Sequence, residues 1–113
     1  MGASDHGYRY SNIAVQKISA AGYEVVALGS HPGKIGAVPI VDKPGDWAPI
    51  HTVTIYLNPY NQQGYYGYLA ELKPERVIFN PGAENYQLES FLLEKGITCI
   101  NACTLVMIST GQF

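Results

Sequence analysis

Residues 76–85 read Arg-Val-Ile-Phe-Asn-Pro-Gly-Ala-Glu-Asn, and their order decides the fold. The run RVIF is short, apolar and β-branched, which reads as a buried strand. Asn80-Pro81-Gly82 then stops it, because proline holds the preceding residue extended and glycine permits a turn. Asn85 is placed to cap a helix, and Leu88, Phe91 and Leu92 follow at helical spacing up to Lys95. Gly96 closes that helix, and the next strand, ITCI, spans residues 97–100.

Upstream, the pattern repeats. TVTIYL at residues 52–57 is a second buried strand, followed by Asn58-Pro59 in the matching place. A helix is expected over Asn61–Leu72, with Tyr65, Tyr68, Leu69 and Leu72 on one stripe. YEVVAL at residues 23–28 is an earlier strand, preceded by a helix over Ser11–Ala21 that Gly22 ends. Its expected buried stripe is Ile13, Ala14, Ile18 and Ala21. The Gly- and Pro-rich stretch from Gly29 to Pro49 reads as surface loop around a short edge strand at Val38–Val41. A last short helix runs from about Cys103 to Ser109.

Strands that are apolar throughout, alternating with helices, define a three-layer, doubly wound α/β fold on a parallel sheet. One feature conflicts with it. Gly2-Ala3-Ser4 looks like the turn after a first strand, yet only Met1 precedes it. The first strand is therefore expected to be truncated: either the sequence begins late, or another segment fills the slot. The 113 residues fit one domain, residues 1–113.

Composition narrows the class of partner. The net charge of -2 argues against a nucleic-acid or anionic-membrane binder, since both demand a basic field. Charged residues are 14% of the chain, where about 25% is usual. The apolar surface this leaves predicts self-association, such as a homodimer. No apolar run reaches the roughly 20 residues that span a bilayer, and no signal-peptide pattern is present. Cys99 and Cys103 read as free thiols of a cytoplasmic protein, and no Cys/His spacing suggests a metal site.

Polar and glycine residues collect after each strand, where ligands of such sheets bind. The first loop, with Gly2, Ala3, Ser4, Arg9 and Tyr10, reads as a phosphate cradle. Small residues allow close backbone approach, the following helix offers its N-terminal N–H groups, and Arg9 adds a charge-assisted contact. Gly29 and Ser30 end the next strand, where an acidic residue would favour NAD, and Lys34 is placed for a ribose phosphate. Asn58, Pro59, Asn80, Pro81 and Gly82 read either as turn-makers or as ligand contacts. Tyr56, Tyr60, Tyr65, Tyr66 and Tyr68 form a dense aromatic group suited to an interface, a core or a ligand wall. Trp47 suits a contact surface.

No catalytic constellation emerges. Ser4 and Ser11 lack a nucleophile-elbow context, and His6, His31 and His51 lack a triad or metal spacing. Cys103, near a helix start, is the one candidate nucleophile, and an inert packed thiol is its alternative.

Read together, four segments resemble the small CoA-binding domain family, relatives of the CoA-binding domain of the succinyl-CoA synthetase α subunit. They are Gly2-Ala3-Ser4 with Arg9-Tyr10, TVTIYLNPYNQ (residues 52–62), RVIFNPGAEN (residues 76–85) and ACTLVMISTGQF (residues 102–113). The resemblance implies a Rossmann-like fold and a bound coenzyme A or acyl-CoA, with no assigned reaction. By position it implies that Gly2, Ala3, Ser4 and Arg9 hold the diphosphate, and Gly29, Ser30 and Lys34 the adenosine end. Asn58, Pro59, Asn80, Pro81 and Gly82 would line the pantetheine side. The chain departs from the family in its truncated first strand and in His6-Gly7, where relatives often carry proline. The alternatives are a homodimeric interaction protein with a vestigial nucleotide pocket, and a thiol-dependent acyl-transfer enzyme using Cys103.

Overall fold

Two asparagines and two glycines punctuate this chain. Asn58 and Asn85 stand in extended backbone, and their side chains accept from the N–H groups of Asn61 and Leu88, at 2.9 and 3.1 Å. Gly22 and Gly96, at φ +93° and +80°, take the left-handed conformation that ends a helix cheaply only without a Cβ.

The computed structural model describes residues 1–47 and 49–113. In chain order the elements are α1 (Tyr10–Ala20), β1 (Ala27–Leu28), β2 (Gly33–Ile35), β3 (Val38–Val41), β4 (Thr52–Ile55) and α2 (Pro59–Gln62). A 3₁₀ turn (Gln63–Tyr65) leads into α3 (Tyr66–Leu72), β5 (Arg76–Phe79), α4 (Tyr86–Glu94), β6 (Thr98–Asn101) and α5 (Thr104–Ser109). They form two compact units: Met1–Gly45 with Thr104–Phe113, and Asp46–Cys103.

In the Asp46–Cys103 unit, β4, β5 and β6 form a parallel sheet with β5 in the middle. Thr52 pairs with Arg76 and Arg76 with Thr98, so the three strands run in step. Val77, Ile78 and Phe79 are all buried, as expected of a central strand covered on both faces. Leu69 of α3 and Leu88 and Leu92 of α4 are fully buried in the same unit. The single helix expected over Asn61–Leu72 is instead two. Pro59 occupies the first helical position, where its missing N–H costs nothing, so helix begins two residues earlier than expected. The chain tightens at Gln63–Tyr65, beside Gly64, before α3 resumes.

In the other unit, β1 runs parallel to β3, and β2 pairs antiparallel with β3. The sheet here is thus mixed. The β2–β3 hairpin turns at Gly36, φ +59°, inside the stretch read as loop. That expected loop also includes Ala48, which lies outside the described residues. Val15, Ala27, Ile35 and Ile40 form the core, flanked by Ala3, Val25 and Val38. The strand expected over Tyr23–Leu28 shrinks to its last two residues. Tyr23 and Val26 are largely exposed, and Tyr23 packs edge-on against Phe113 at 5.5 Å. The buried face of α1 is Ser11, Asn12, Ala14 and Val15, so of the expected stripe only Ala14 is fully covered.

Residues 1–3 run beside β1 without forming a strand. The N–H groups of Gly2 and Ala3 both donate to the Leu28 carbonyl at 2.9 Å, and Gly2 sits at φ +93°. Two donors converging on one acceptor, with one residue out of the β region, is an irregular bridge and not a ladder.

Candidate functional site

In the Met1–Gly45 unit, the Gly2-Ala3-Ser4 turn, the end of β1 and the start of α1 meet. Gly29 is buried, and a Cβ there would run into the Ala3 carbonyl oxygen. Glycine at position 29 is therefore required by the approach of the protein's own backbone. The Ser4 carbonyl accepts from Asn12 Nδ2 at 2.8 Å, and Asn12 Oδ1 accepts from Gln16 at 2.6 Å. Asn12 is almost fully buried and ties the turn to α1. The sequence reading passed over it. A polar residue inside the first turn of a helix was its only signal.

Two of the expected cradle amides, and one expected at the adenosine end, are already committed. Those of Gly2 and Ala3 point to Leu28, and that of Gly29 donates to Val41 at 2.9 Å. Ser4 Oγ accepts from the His6 N–H at 3.1 Å. The start of α1 offers further donors, because there the extended residue Arg9 supplies no side-chain cap. The first-turn N–H groups of a helix have no partner within the helix. Arg9 itself is exposed, with its guanidinium 5.9 Å from the centre of the Tyr8 ring, and Tyr10 is 73% exposed. Ser30 is exposed after β1, and Lys34 is exposed on β2 opposite Pro39. The Asp5 carboxylate packs against Gly33, one residue from Lys34. This unit therefore brings together Gly2, Ala3, Ser4 and Gly29 as a shaped backbone corner. Arg9, Tyr10, Ser30 and Lys34 stand around it on solvent-facing positions.

In the Asp46–Cys103 unit, the two Asn-Pro loops follow β4 and β5. Asn58 spends its side-chain oxygen on the α2 cap. Asn80 is buried, and its Nδ2 donates to the Ile55 carbonyl at 2.9 Å, clamping the ends of β4 and β5 together. Pro81 and Gly82 are exposed, and Gly82, at φ +91°, donates its N–H to Glu84 at 2.7 Å. The hub of this end is Gln62, which is fully buried. Its Nε2 donates to the Leu57 and Ala83 carbonyls, both at 2.8 Å, and its Oε1 accepts from Asn85 at 2.8 Å. A glutamine behind Asn-Pro gives no hint, in sequence, of which carbonyls it meets.

Cys99 and Cys103 are free thiols, both half-buried. Burial, and then the Glu89 carboxylate, push the Cys99 thiol up to about 11. Cys103 immediately precedes α5. His51 has a carboxylate neighbour that spacing did not reveal, Glu75 at 3.4 Å, but both side chains are largely exposed and such pairs contribute little. Among the described residues, no helix is long and apolar enough to cross a membrane.

Parallel strands alternating with helices, with loops gathered after the strands, define a Rossmann-like α/β protein. Residues 1–109 match the CoA binding domain family, and the chain belongs to it. Membership supports CoA binding at the level of the family and carries no particular reaction. The chain is similar to a crystal structure of an uncharacterized protein at 41% identity, covering 99% of this chain and 93% of that one, with a TM-score of 0.96. It shares its fold with cell-free ID.343 from Thermus thermophilus, at 18% identity and a TM-score of 0.84, covering 100% of this chain and 87% of that one. It also shares it with a hypothetical protein from Pyrococcus horikoshii OT3, at 19% identity and a TM-score of 0.82, covering 96% of this chain and 78% of that one. No curated protein matches the chain.

Proposed function

We propose that residues 1–113 form one cytoplasmic domain that binds coenzyme A or an acyl-CoA without chemistry of its own. The observation that carries the reading is the uncapped start of α1 beside the Gly2-Ala3-Ser4 corner, in a chain whose family binds CoA. A helix N-terminus with unsatisfied N–H groups favours phosphate through direct donation and through the helix dipole. Arg9 is exposed at that terminus and adds a charge-assisted contact to the same anion. Lys34, exposed on β2, suits a second phosphate, and no acidic residue ends β1 to prefer unphosphorylated ribose. Gly2, Ala3 and Gly29 supply shape here, because their amides serve the fold.

Isothermal titration with CoA, dephospho-CoA and NAD tests this. CoA should bind, dephospho-CoA more weakly, and NAD not at all. Arg9→Ala should weaken CoA by about tenfold, the scale of one charged hydrogen bond. Absence of heat at millimolar CoA would overturn the reading.

A further inference from the structure

The sheet of the Asp46–Cys103 unit is finished on one side by β6, and no described strand lies beyond it. β6 keeps an even register with β5 along its whole length. The Thr98 N–H donates to the Glu75 carbonyl and the Ala102 N–H to the Phe79 carbonyl, at 3.3 and 3.0 Å. Backbone groups alternate along a strand, so Thr98, Ile100 and Ala102 bond inward. The N–H and C=O groups of Cys99 and Asn101 therefore point away from the sheet. Edge strands are commonly blunted by charge, proline or a bulge. Thr98-Cys99-Ile100-Asn101 has none of these.

The helix above this edge continues the same surface. On α4, Leu88 and Leu92 are fully buried, and Phe91 lies on one flank against Tyr66 of α3, with ring centres 5.8 Å apart. Lys95 belongs to that flank too, its ammonium 5.4 Å from the Phe91 ring. On the opposite flank Glu89 reaches β6, where its carboxylate accepts from Asn101 Nδ2 at 3.3 Å. At about 3.6 residues per turn, Tyr86 and Leu93 share the flank of Glu89. Both are exposed, at 83% and 52%.

Charge and symmetry decide what fits this edge. Residues 98–101, Tyr86 and Leu93 carry no charge, and Glu89 is engaged by Asn101. A two-fold axis brings like residues together, which a charged edge would resist and this one does not. The axis has one good position. At Ile100, it sets Cys99 of each copy opposite Asn101 of the other, and both outward residues exchange all their backbone bonds. Moved to Cys99, it would set Asn101 opposite Ile97, whose N–H is spent on Leu92 at 3.1 Å. Moved to Asn101, it would set Cys99 opposite Cys103, which lies beyond the strand at the entrance to α5. The axis at Ile100 also sets the two α4 helices antiparallel, so the Tyr86 end of one adjoins the Leu93 end of the other.

We infer that β6 is a self-association surface: two copies of this chain join edge to edge about a two-fold axis at Ile100, merging their three-stranded parallel sheets into one. This gives a place to the self-association expected from the low charge content, and it is independent of the cofactor reading.

The test is sedimentation of the full chain, without cofactor, from micromolar to millimolar concentration. The mass should rise from monomer to dimer. Over the same range hydrogen exchange should slow at the Cys99 and Asn101 amides, whereas that of Gly36, in the β2–β3 turn, should not change. Asn101→Pro removes an outward N–H and spares every bond to β5, so it should leave only monomer. Leu93→Lys changes an exposed position outside the strand and should weaken association about tenfold, since a two-fold interface loses the contact twice. A monomer mass at millimolar concentration overturns the inference. So does a dimer that keeps its strength in both variants or leaves the Cys99 and Asn101 amides unprotected. Protection of those amides in a monomer overturns it as well, because something other than a second copy then covers the edge.

Discussion

The two units divide packing from charge. Asp46–Cys103 contains Ile55, Leu69, Val77, Ile78, Leu88 and Leu92, all with no exposed surface, around three parallel four-residue strands. The Met1–Gly45 unit has a core of Val15, Ala27, Ile35 and Ile40, smaller and none of it fully closed. Its strand β1 has only two residues. Charge runs the other way. Arg9, Lys17, Lys34 and Lys43 face Asp5, Glu24 and Asp42 in the Met1–Gly45 unit, whereas Lys73, Arg76 and Lys95 face Asp46 and five glutamates in Asp46–Cys103. The excess of cations thus sits where the core is thin. Stability and anion recognition make opposed demands: burial wants saturated, apolar surroundings, and an anion site wants donors left over. This chain meets them in different segments.

Truncating the packed side should produce the largest effect. Phe79→Ala removes a side chain that is 1% exposed in the central strand, and should cost about 4 kcal/mol of unfolding free energy in urea titration. A cost under about 1 kcal/mol would mean that this sheet is not the dominant core. Gln62→Leu comes next, at about 3 kcal/mol, because it leaves the Leu57 and Ala83 carbonyls and one Asn85 N–H without their partner. A neutral or stabilising result there would show that the amide network is solvated and not structural.

Gly29→Ala probes the thinner side. The added methyl meets the backbone oxygen of Ala3, which cannot rotate away as a side chain would. Residues 1–3 must shift, at about 2 kcal/mol. Hydrogen exchange at the Gly2 and Ala3 amides should speed up, since both donate to the neighbouring Leu28 carbonyl. Exchange in β5 should stay as it is. Unchanged exchange at Gly2 and Ala3 would dissolve the corner from which the phosphate reading starts.

The same contrast governs what was readable in advance. TVTI and RVIF could be assigned because a run of apolar β-branched residues has one stable use, and α4 because Asn85 offers the cap its backbone needs. The parallel α/β class followed from those strands. The strand expected at Val38–Val41 is β3, although it lies between β1 and β2 and not at an edge; β2 stayed hidden, since only Ile35 is buried in it and the rest reads as Gly/Pro loop. In the candidate site, the glycines and Arg9 were legible as residue types. Their division of labour was not. That Gly29 yields to Ala3, that the Gly2 and Ala3 amides are spent on Leu28, and that Asn12 holds Ser4 are all contacts between distant residues. The bonds of Gln62 were missed, and Tyr66 was legible only as one of a group of tyrosines, for the same reason: a hydrogen-bond chain is a property of three-dimensional neighbours.

The smallest effect is a titration. Burial and the nearby Glu89 hold the Cys99 thiol neutral up to about pH 11, against an ordinary value of 9.0. Between those values the unfolded chain has lost a proton that the folded chain keeps, so stability must fall as pH rises. The contribution is complete below pH 9 and gone above about 11. Because Cys99 is only half-buried, the solvent screens much of it. The measurement is a difference, so that changes common to both proteins cancel: urea midpoints for the protein and for Cys99→Ala from pH 8 to about 11. The two curves should diverge at low pH and converge upward. Parallel curves would place Cys99 in water, and would remove the edge strand β6 from the packed half of the comparison.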